Sequence, residues 1–555
     1  MIKKLVIPSV LIVQLCFPVT LDIANERNER TAARMVDALK AYSEYAAEVL
    51  TRNDDEEDFA TDRRANFGKG LAYDPLSATG TFHKTEYDKL LTALDSEDEA
   101  DFEALTGGTT PPQPFKLVNP LGLFATDFSG ADGWLFAIPS APTLTSAESA
   151  GEMVEVYWHA VLRDIPFNKY SETDASPLVQ ERAITELNTL TDFVPKTHYT
   201  TITGGNLFRG TFPGEDVGPY VSQFLYQPVP NGPAINTDGS GSSAPFDTPS
   251  YQEVIAPTAG NANNFMMDES EWQTIQEGGA PSESTTFDET RRYFIRNARD
   301  LAEYVHYDWP GKATLNAALM LLSYGSAALD DNFHYASSDI QAGFVTFGPG
   351  MILGSVLKVA ELALKAAWFQ KWYVHRRLRP EVYGYLIEHE GTLSSGLHSD
   401  ITGASVFTDA AFLAINPTNK LLPMAYPEGS PTHPAYPAGH ATFIGATVTL
   451  LKAFFKDDFV IPTPVEPNSD NDDLITWTGA DLEVGAELNK LASNISIGRN
   501  MAGVHYRTDG TEGMLLGEKV AIKFLNDIGL TLPEGFTGFS LKKFDGTTIT
   551  VGAKV

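Results

Sequence analysis

Three short segments in the C-terminal half hold the residue types that chemistry on a small anion requires. They are Lys371-Trp-Tyr-Val-His-Arg-Arg-Leu-Arg379-Pro380, Pro437-Ala438-Gly439-His440 and Arg499-Asn-Met-Ala-Gly-Val-His505-Tyr-Arg-Thr-Asp509. From these, Lys371, Arg379, Arg499, His440 and His505 can converge on one tetrahedral oxyanion. Fixed cations hold the oxygens, a helix N-terminus adds N–H donors, and an imidazole titrates near neutral pH.

Each segment needs an element to aim it. Lys371 and Arg379 are eight residues apart, about 80° around a regular helix that Pro380 would end. Gly439 and His440 run directly into apolar Ala441-Thr-Phe-Ile-Gly, which places them at a helix N-terminus. Gly439 lets the backbone approach a ligand closely, whereas Ala438 offers no side-chain cap. His505 and Asp509 are i, i+4 neighbours on one expected helix face, where Asp509 can orient or stabilise a neighbouring cation. Arg499 and His505 would point about 120° apart on one continuous helix. Their convergence therefore requires a break, and Gly503 offers one. Taken singly, the segments also fit a basic helix end, a capped loop-to-helix junction and a chance Arg-His pair. The ordered set is what points to an anion cage.

Hydrophobic periodicity predicts helices over 25–52, 84–105, 147–163, 177–191, 288–307, 312–328, 351–379, 400–415, 440–455, 481–502 and 506–527. Strand signals are sparse, near 200–212 and 545–551. The stretches 53–82, 106–146, 228–250 and 416–439 read as loops. The expected fold is mainly α, a large helical bundle with long loops and a few short strands. Residues 25–284 read as a helical shell and 285–555 as the catalytic region.

The net charge is −32 over 555 residues. That excludes nucleic acid and anionic membrane surfaces as natural partners, and it makes the Arg376, Arg377 and Arg379 cluster a place to which a free anion is drawn. Beyond the N-terminal region no segment is long and apolar enough to span a membrane. The chain has one cysteine, Cys16, so no intrachain disulfide forms. Residues 1–24 carry Lys3 and Lys4 before an apolar run. They are expected to be an export signal or N-terminal extension, placing the protein in the periplasm or outside the cell; a buried strand or interface arm, in a protein that stays cytoplasmic, is the alternative.

The ordered set resembles the signature of the vanadium-dependent haloperoxidases and the related vanadate-binding acid phosphatases, most of all the red-algal and cyanobacterial bromoperoxidases. The likeness extends over nearly everything after residue 25. It includes Asn206-Leu-Phe-Arg-Gly, Val217-Gly-Pro-Tyr, His375-Arg-Arg-Leu-Arg-Pro-Glu, Leu422-Pro-Met-Ala, Glu428-Gly-Ser-Pro-Thr-His-Pro, the run 485–506 and Lys543-Phe-Asp-Gly-Thr-Thr-Ile. The resemblance implies a vanadate cofactor with His505 as the metal ligand. It implies that Lys371, Arg379, Arg499 and the Gly439 N–H hold the equatorial oxygens, and that His440 is the general acid–base. His433 and Trp368 would line the halide pocket, with Asp509 behind the ligand. The family's usual serine before Gly-His is Ala438 here, which removes one hydroxyl hydrogen bond. The implied reaction oxidises bromide or iodide with hydrogen peroxide, Lys371 polarising the peroxide, and halogenates a small organic substrate. A homo-oligomer is implied as well. A phosphatase working through a phosphorylated His505, or a low-activity anion-binding relative, remains the alternative.

Overall fold

The computed structural model describes residues 66–71, 84–105, 115–127, 129–230, 247–248, 252–255, 263–336, 338–391 and 396–553. The helix expected over 25–52, and residues 1–24, lie outside them. All the described residues belong to one compact unit, Val49–Val555. Its site-bearing helices are α1 (Ala147–Val161), α2 (Ala298–Tyr304), α3 (Lys312–Ser323), α4 (Pro349–Trp368), α5 (Pro380–Glu388), α6 (Gly439–Phe454), α7 (Val484–Met501) and α8 (Arg507–Thr531).

Helix α6 organises the core. Every residue from Ala441 to Phe454 is buried, so the helix is covered on all sides by α4, α7 and α8. A helix that is apolar all round can exist only in that position. Each large side chain on it, such as Phe443, Leu450 or Phe454, contributes about 1.5–3 kcal/mol by leaving water. Two glycines set the α6–α8 distance. A Cβ at Gly517 would stand 2.1 Å from the Thr442 carbonyl oxygen, and one at Gly445 would stand 2.4 Å from that of Met514. Among the described residues, strands occur as two-stranded antiparallel pairs. Phe539–Lys542, for example, pairs with Thr548–Val551, Phe539 opposite Val551. The fold is mainly α, as expected.

The structure departs from the sequence reading at several places. The expected helix 288–307 is a strand, Phe287–Tyr293, paired with Gln252–Ile255, followed by the short α2. Phe, Thr and Tyr favour a strand in the first half. Asn297 then starts the helix by accepting from the Asp300 N–H at 3.0 Å. The stretch 200–212 forms turns and no strand, because Asn206 and its glycines close it on itself; Asn206 Oδ1 accepts from Thr203 N–H at 2.7 Å. Residues 400–415 split into the short helices Ser399–Thr402 and Ala410–Ile415.

The largest departure is at 351–379. Helix α4 ends at Trp368 and passes into a π-helical segment, Phe369–His375, and Arg376 then turns left-handed at φ 47°. Arg379 is extended, at φ −88° and ψ 157°, and caps α5. A residue before proline is pushed out of the α region. Lys371 and Arg379 therefore do not share a regular helix, and the 80° relation does not hold. A π-bulge of this kind is frequent where a helix has been re-aimed for function.

Candidate active site

Three cations meet at the base of the bundle, and all three are buried: Lys371 at 0%, Arg379 at 0% and Arg499 at 4% exposure. Lys371 Nζ donates to the carbonyls of Pro434 (2.7 Å) and Ala435 (2.8 Å). Arg379 donates to the carbonyls of His433 (Nε, 3.0 Å) and Val504 (Nη1, 2.6 Å). Arg499 Nη1 donates to the Val305 carbonyl at 2.7 Å, and its guanidinium lies 5.4 Å from the Tyr426 ring centre. The Nε of Arg499 is buried without a partner. Among the described residues none of the three cations is ion-paired to a carboxylate. In a chain of net charge −32 that is an unusual arrangement, since a buried charge costs several kcal/mol unless it is compensated. Burial, with Arg379 next, pushes the Lys371 ammonium well below its ordinary pKa. Burial likewise pushes Arg379 down to about 10.

His505 stands among these cations. It is not on a helix, for Tyr506 is the N-cap of α8 and Gly503, at φ +85°, breaks the chain after α7. The expected shared helix face of His505 and Asp509 is absent, yet the two side chains meet across the cap. His505 Nδ1 lies 2.8 Å from Asp509 Oδ2. A carboxylate there accepts a hydrogen bond from Nδ1–H, which leaves the Nε2 lone pair facing inward. Arg379 Nη1 is 2.9 Å from that Nε2. Burial first, then Arg379 and Lys371, hold the imidazole well below its ordinary pKa, so it is neutral. Asp509 is itself fixed by Arg377 Nη1 at 2.8 Å. Arg377 also reaches Glu152 of α1 at 2.9 Å, and its guanidinium stacks 3.9 Å over Tyr506. Burial opposes its charge, but Glu152 and Asp509 keep Arg377 above the ordinary arginine range. Arg376 turns the other way, to the Trp372 carbonyl (3.2 Å) and Tyr87 (3.2 Å). Of the expected arginine cluster, only Arg379 faces the cage.

The N-terminus of α6 closes the cage. Ala438 is the N-cap, fully buried, and makes no side-chain cap. Its N–H donates to the Asp509 carbonyl at 2.8 Å, which ties the start of α6 to α8. A methyl at Gly439 would make only ordinary contact with Trp368 (3.4 Å) and Leu364 (3.6 Å), so packing alone does not demand glycine. His440 follows, and its Nε2 lies 2.6 Å from Asp308 Oδ1. With Nε2–H donating to Asp308, Nδ1 carries the free lone pair. Burial lowers the His440 pKa and Asp308 opposes that. Asp308 is absent from the sequence reading. Its only local signal is its position between two aromatics, in Tyr307-Asp308-Trp309-Pro310.

His433 and Trp368 sit side by side, ring centres 4.9 Å apart. His433 Nδ1 lies 3.1 Å from Arg379 Nη2. Burial, then Lys371 and Arg379, push His433 well below its ordinary pKa. The loop carrying it is anchored by Lys69, whose Nζ reaches the carbonyls of Glu428 (2.7 Å) and Ser430 (2.6 Å) and the Glu381 carboxylate (3.2 Å). The sequence reading also lacks Lys69, and it gives Arg377 as part of a basic cluster rather than as the partner of Asp509.

The donor set is that of an oxyanion receptor. Among the described residues no group of three or more His, Cys, Asp and Glu side chains gathers as a cation site. The cage instead offers three cations, an unpartnered guanidinium N–H, a helix N-terminus and one neutral imidazole. Fold and site together define a helical oxyanion-binding protein with a titratable histidine at its mouth. The comparisons give the family. Curated relatives include the vanadium-dependent bromoperoxidases of Ascophyllum nodosum (35% identical, covering 95% of this chain and 94% of that one) and of Corallina pilulifera (35%, covering 91% and 94%). A solved homohexameric vanadate-dependent bromoperoxidase from Ascophyllum nodosum matches with a TM-score of 0.82 at 29% identity, covering 95% of this chain and 90% of that one. The VCPO second helical-bundle domain matches residues 356–528. The chain belongs to the vanadium-dependent bromoperoxidase family.

Proposed function

We propose that this bromoperoxidase holds vanadate in the cage and oxidises bromide and iodide with hydrogen peroxide to hypohalous acid, with chloride a poorer substrate. One observation carries the residue assignment: three buried cations without a carboxylate partner act on His505, and one of them, Arg379, lies 2.9 Å from its Nε2. Bound vanadate supplies Lewis-acid activation of hydrogen peroxide towards halide attack.

The protein's own groups do the rest. His505 offers Nε2 as the metal ligand because Asp509 holds the other nitrogen protonated. Lys371, Arg379 and Arg499 neutralise the oxyanion in a site where little water screens them. Gly439 N–H points from the positive end of α6. Lys371 also polarises the oxidant, since its ammonium is the most compact of the three charges. His440 takes up and returns protons at Nδ1 while Asp308 keeps its ring in place. His433 and Trp368 form the halide side of the site. Ala438 leaves one oxygen without a hydroxyl donor, which weakens the hold on the anion without changing the reaction.

The Ascophyllum nodosum structure is a homohexamer, and homo-oligomeric assembly of this chain is part of the same reading, as is export directed by residues 1–24. Among the described residues no helix is long and apolar enough to cross a membrane. The test is bromination of monobromodimedone with and without orthovanadate, alongside p-nitrophenyl phosphate hydrolysis. Vanadate-dependent bromination supports the proposal. Phosphatase turnover without it would replace the proposal with a phospho-histidine mechanism.

A further inference from the structure

Helix α1 reaches the back of the cage from the N-terminal half of the chain, which reads from the sequence as a shell. Its residues from Ser149 to Ala160 are all buried, and two carboxylates are among them. Glu152 and Glu155 are three residues apart and so share one face of the helix. Each meets an arginine. Glu155 takes Arg507, whose Nε lies 2.9 Å from Oε2. Glu152 takes Arg377, whose Nη2 lies 2.9 Å from Oε2, and its Oε1 accepts from the Thr508 N–H at 2.5 Å. The two pairs differ in what lies beyond them. Arg377 turns its other terminal nitrogen, Nη1, to Asp509 Oδ1 at 2.8 Å and to Thr508 Oγ1 at 2.9 Å. Asp509 Oδ2 in turn faces His505 Nδ1 at 2.8 Å. Arg507 instead donates onward to the Arg209 carbonyl at 3.0 Å. Glu152 is thus linked to the imidazole of the cage, and Glu155, equally buried, is not.

We propose that Glu152 is a positioning residue that lets the cage prefer vanadate over phosphate. The inference rests on the vanadate reading and adds to it the source of selectivity. The two oxyanions are alike in shape and charge, and the cations of the cage hold the oxygens of either. They differ at the imidazole. A metal atom takes Nε2 as a ligand, whereas a phosphate resting in the cage is held through its oxygens. The preference therefore depends on the electron density that Nε2 offers. Asp509 raises it by accepting from Nδ1–H. Arg377 draws on the same carboxylate. With no second acid beside it, the guanidinium charge would rest on Asp509 alone and weaken its pull on His505. Glu152 takes a share of that charge and fixes the fork of Arg377 in place. Both groups that Glu152 meets are donors, so it accepts as a carboxylate; burial raises its pKa, and Arg377 opposes that. A negative charge behind the cage repels both oxyanions alike, so its direct effect cancels when the two are compared.

The experiment is equilibrium dialysis of the anion-free protein against orthovanadate and, separately, against inorganic phosphate, in one buffer at one pH. Bound vanadium and bound phosphorus give the ratio of the two affinities. Glu152→Gln keeps the shape of the side chain and removes its charge. It is expected to lower the vanadate-to-phosphate ratio by about tenfold, the lower end of what losing an orienting partner costs a metal site. Arg377→Lys replaces the fork by a point charge that cannot hold both carboxylates, and it is expected to lower the ratio as well. Glu155→Gln breaks a buried pair on the same helix and is expected to melt lower while keeping the wild-type ratio. An unchanged ratio in folded Glu152→Gln, or in Arg377→Lys should the first variant not fold, overturns the proposal. An equal fall in all three variants would mean that α1 only supports the site, and overturns it too. Wild-type protein that takes up phosphate but no vanadium would instead remove the vanadate reading itself.

Discussion

Asp308 Oδ1 lies 2.6 Å from His440 Nε2, and the two residues come from parts of the chain that are 132 positions apart. The pair fixes which nitrogen of His440 works. Burial lowers the His440 pKa and Asp308 is the largest influence raising it. Asp308→Asn is therefore expected to lower the histidine pKa seen in the pH–rate profile and to slow bromide oxidation by about a hundredfold. A steady-state profile identical to that of the wild type would separate Asp308 from the chemistry.

Ala438 makes a second prediction. Its φ of −68° and ψ of 125° suit a serine N-cap without backbone change. A hydroxyl bonded to a charged oxyanion is worth about 1.5–3 kcal/mol. Ala438→Ser is thus expected to tighten vanadate binding by at least about tenfold, as measured by titrating apoenzyme. A serine that only caps α6 would raise the melting temperature and leave vanadate affinity unchanged, which would refute a role at the anion.

Asp509 joins two buried groups, His505 and Arg377. Asp509→Asn removes the carboxylate that fixes the His505 tautomer and leaves Arg377 with Glu152 as its one carboxylate partner among the described residues. Losing one partner of a buried pair costs about 3–5 kcal/mol. The variant is expected to melt markedly lower and to bind vanadate poorly even where it remains folded. Unchanged vanadate affinity in the folded variant would show that His505 needs no orienting acid.

The loop beneath Asp308 responds to pH through His306. Its Nε2 lies 2.5 Å from the Glu428 carboxylate, its Nδ1 3.6 Å from Glu303, and its ring stacks 3.7 Å from that of Tyr426. Burial lowers its pKa, but Glu303 and Glu428 outweigh that and raise it. A raised folded pKa means the protonated form stabilises the native state. The contribution is complete below the ordinary value of about 6.5 and fades as pH rises through the folded value. The melting-temperature gap between wild type and His306→Gln should narrow on going from acid to alkaline pH. A gap that widens would reverse the assignment.

What the sequence discloses is unequal across the site. The helices α6, α7 and α8 are legible because continuous apolar runs and Gly503 mark them, and Gly439, His440, Arg499 and His505 lie on or beside those runs. The geometry of Lys371 and Arg379 is not legible. A π-helical segment and the left-handed Arg376 lie between them, and a periodicity of 3.6 contains no signal for either. Asp308, Lys69 and the pairing of Arg377 with Asp509 are not legible for another reason. Each acts through a partner more than 100 residues away in sequence, and a single acid or base in a loop has no spacing to reveal it. The strand Phe287–Tyr293 shows the limit of short windows, where its polar residues fit a helical pattern equally well.

The account stands on His505 holding vanadate. The direct measurement is the vanadium content of the dialysed, orthovanadate-reconstituted protein and of His505→Ala, with bromide oxidation read on the same samples. The wild type is expected to retain stoichiometric vanadium and to oxidise bromide in proportion to it. His505→Ala is expected to keep the fold, measured by its melting temperature, while losing both the metal and the activity. Vanadium retained in His505→Ala, or bromide oxidation that does not track vanadium content, would contradict the account.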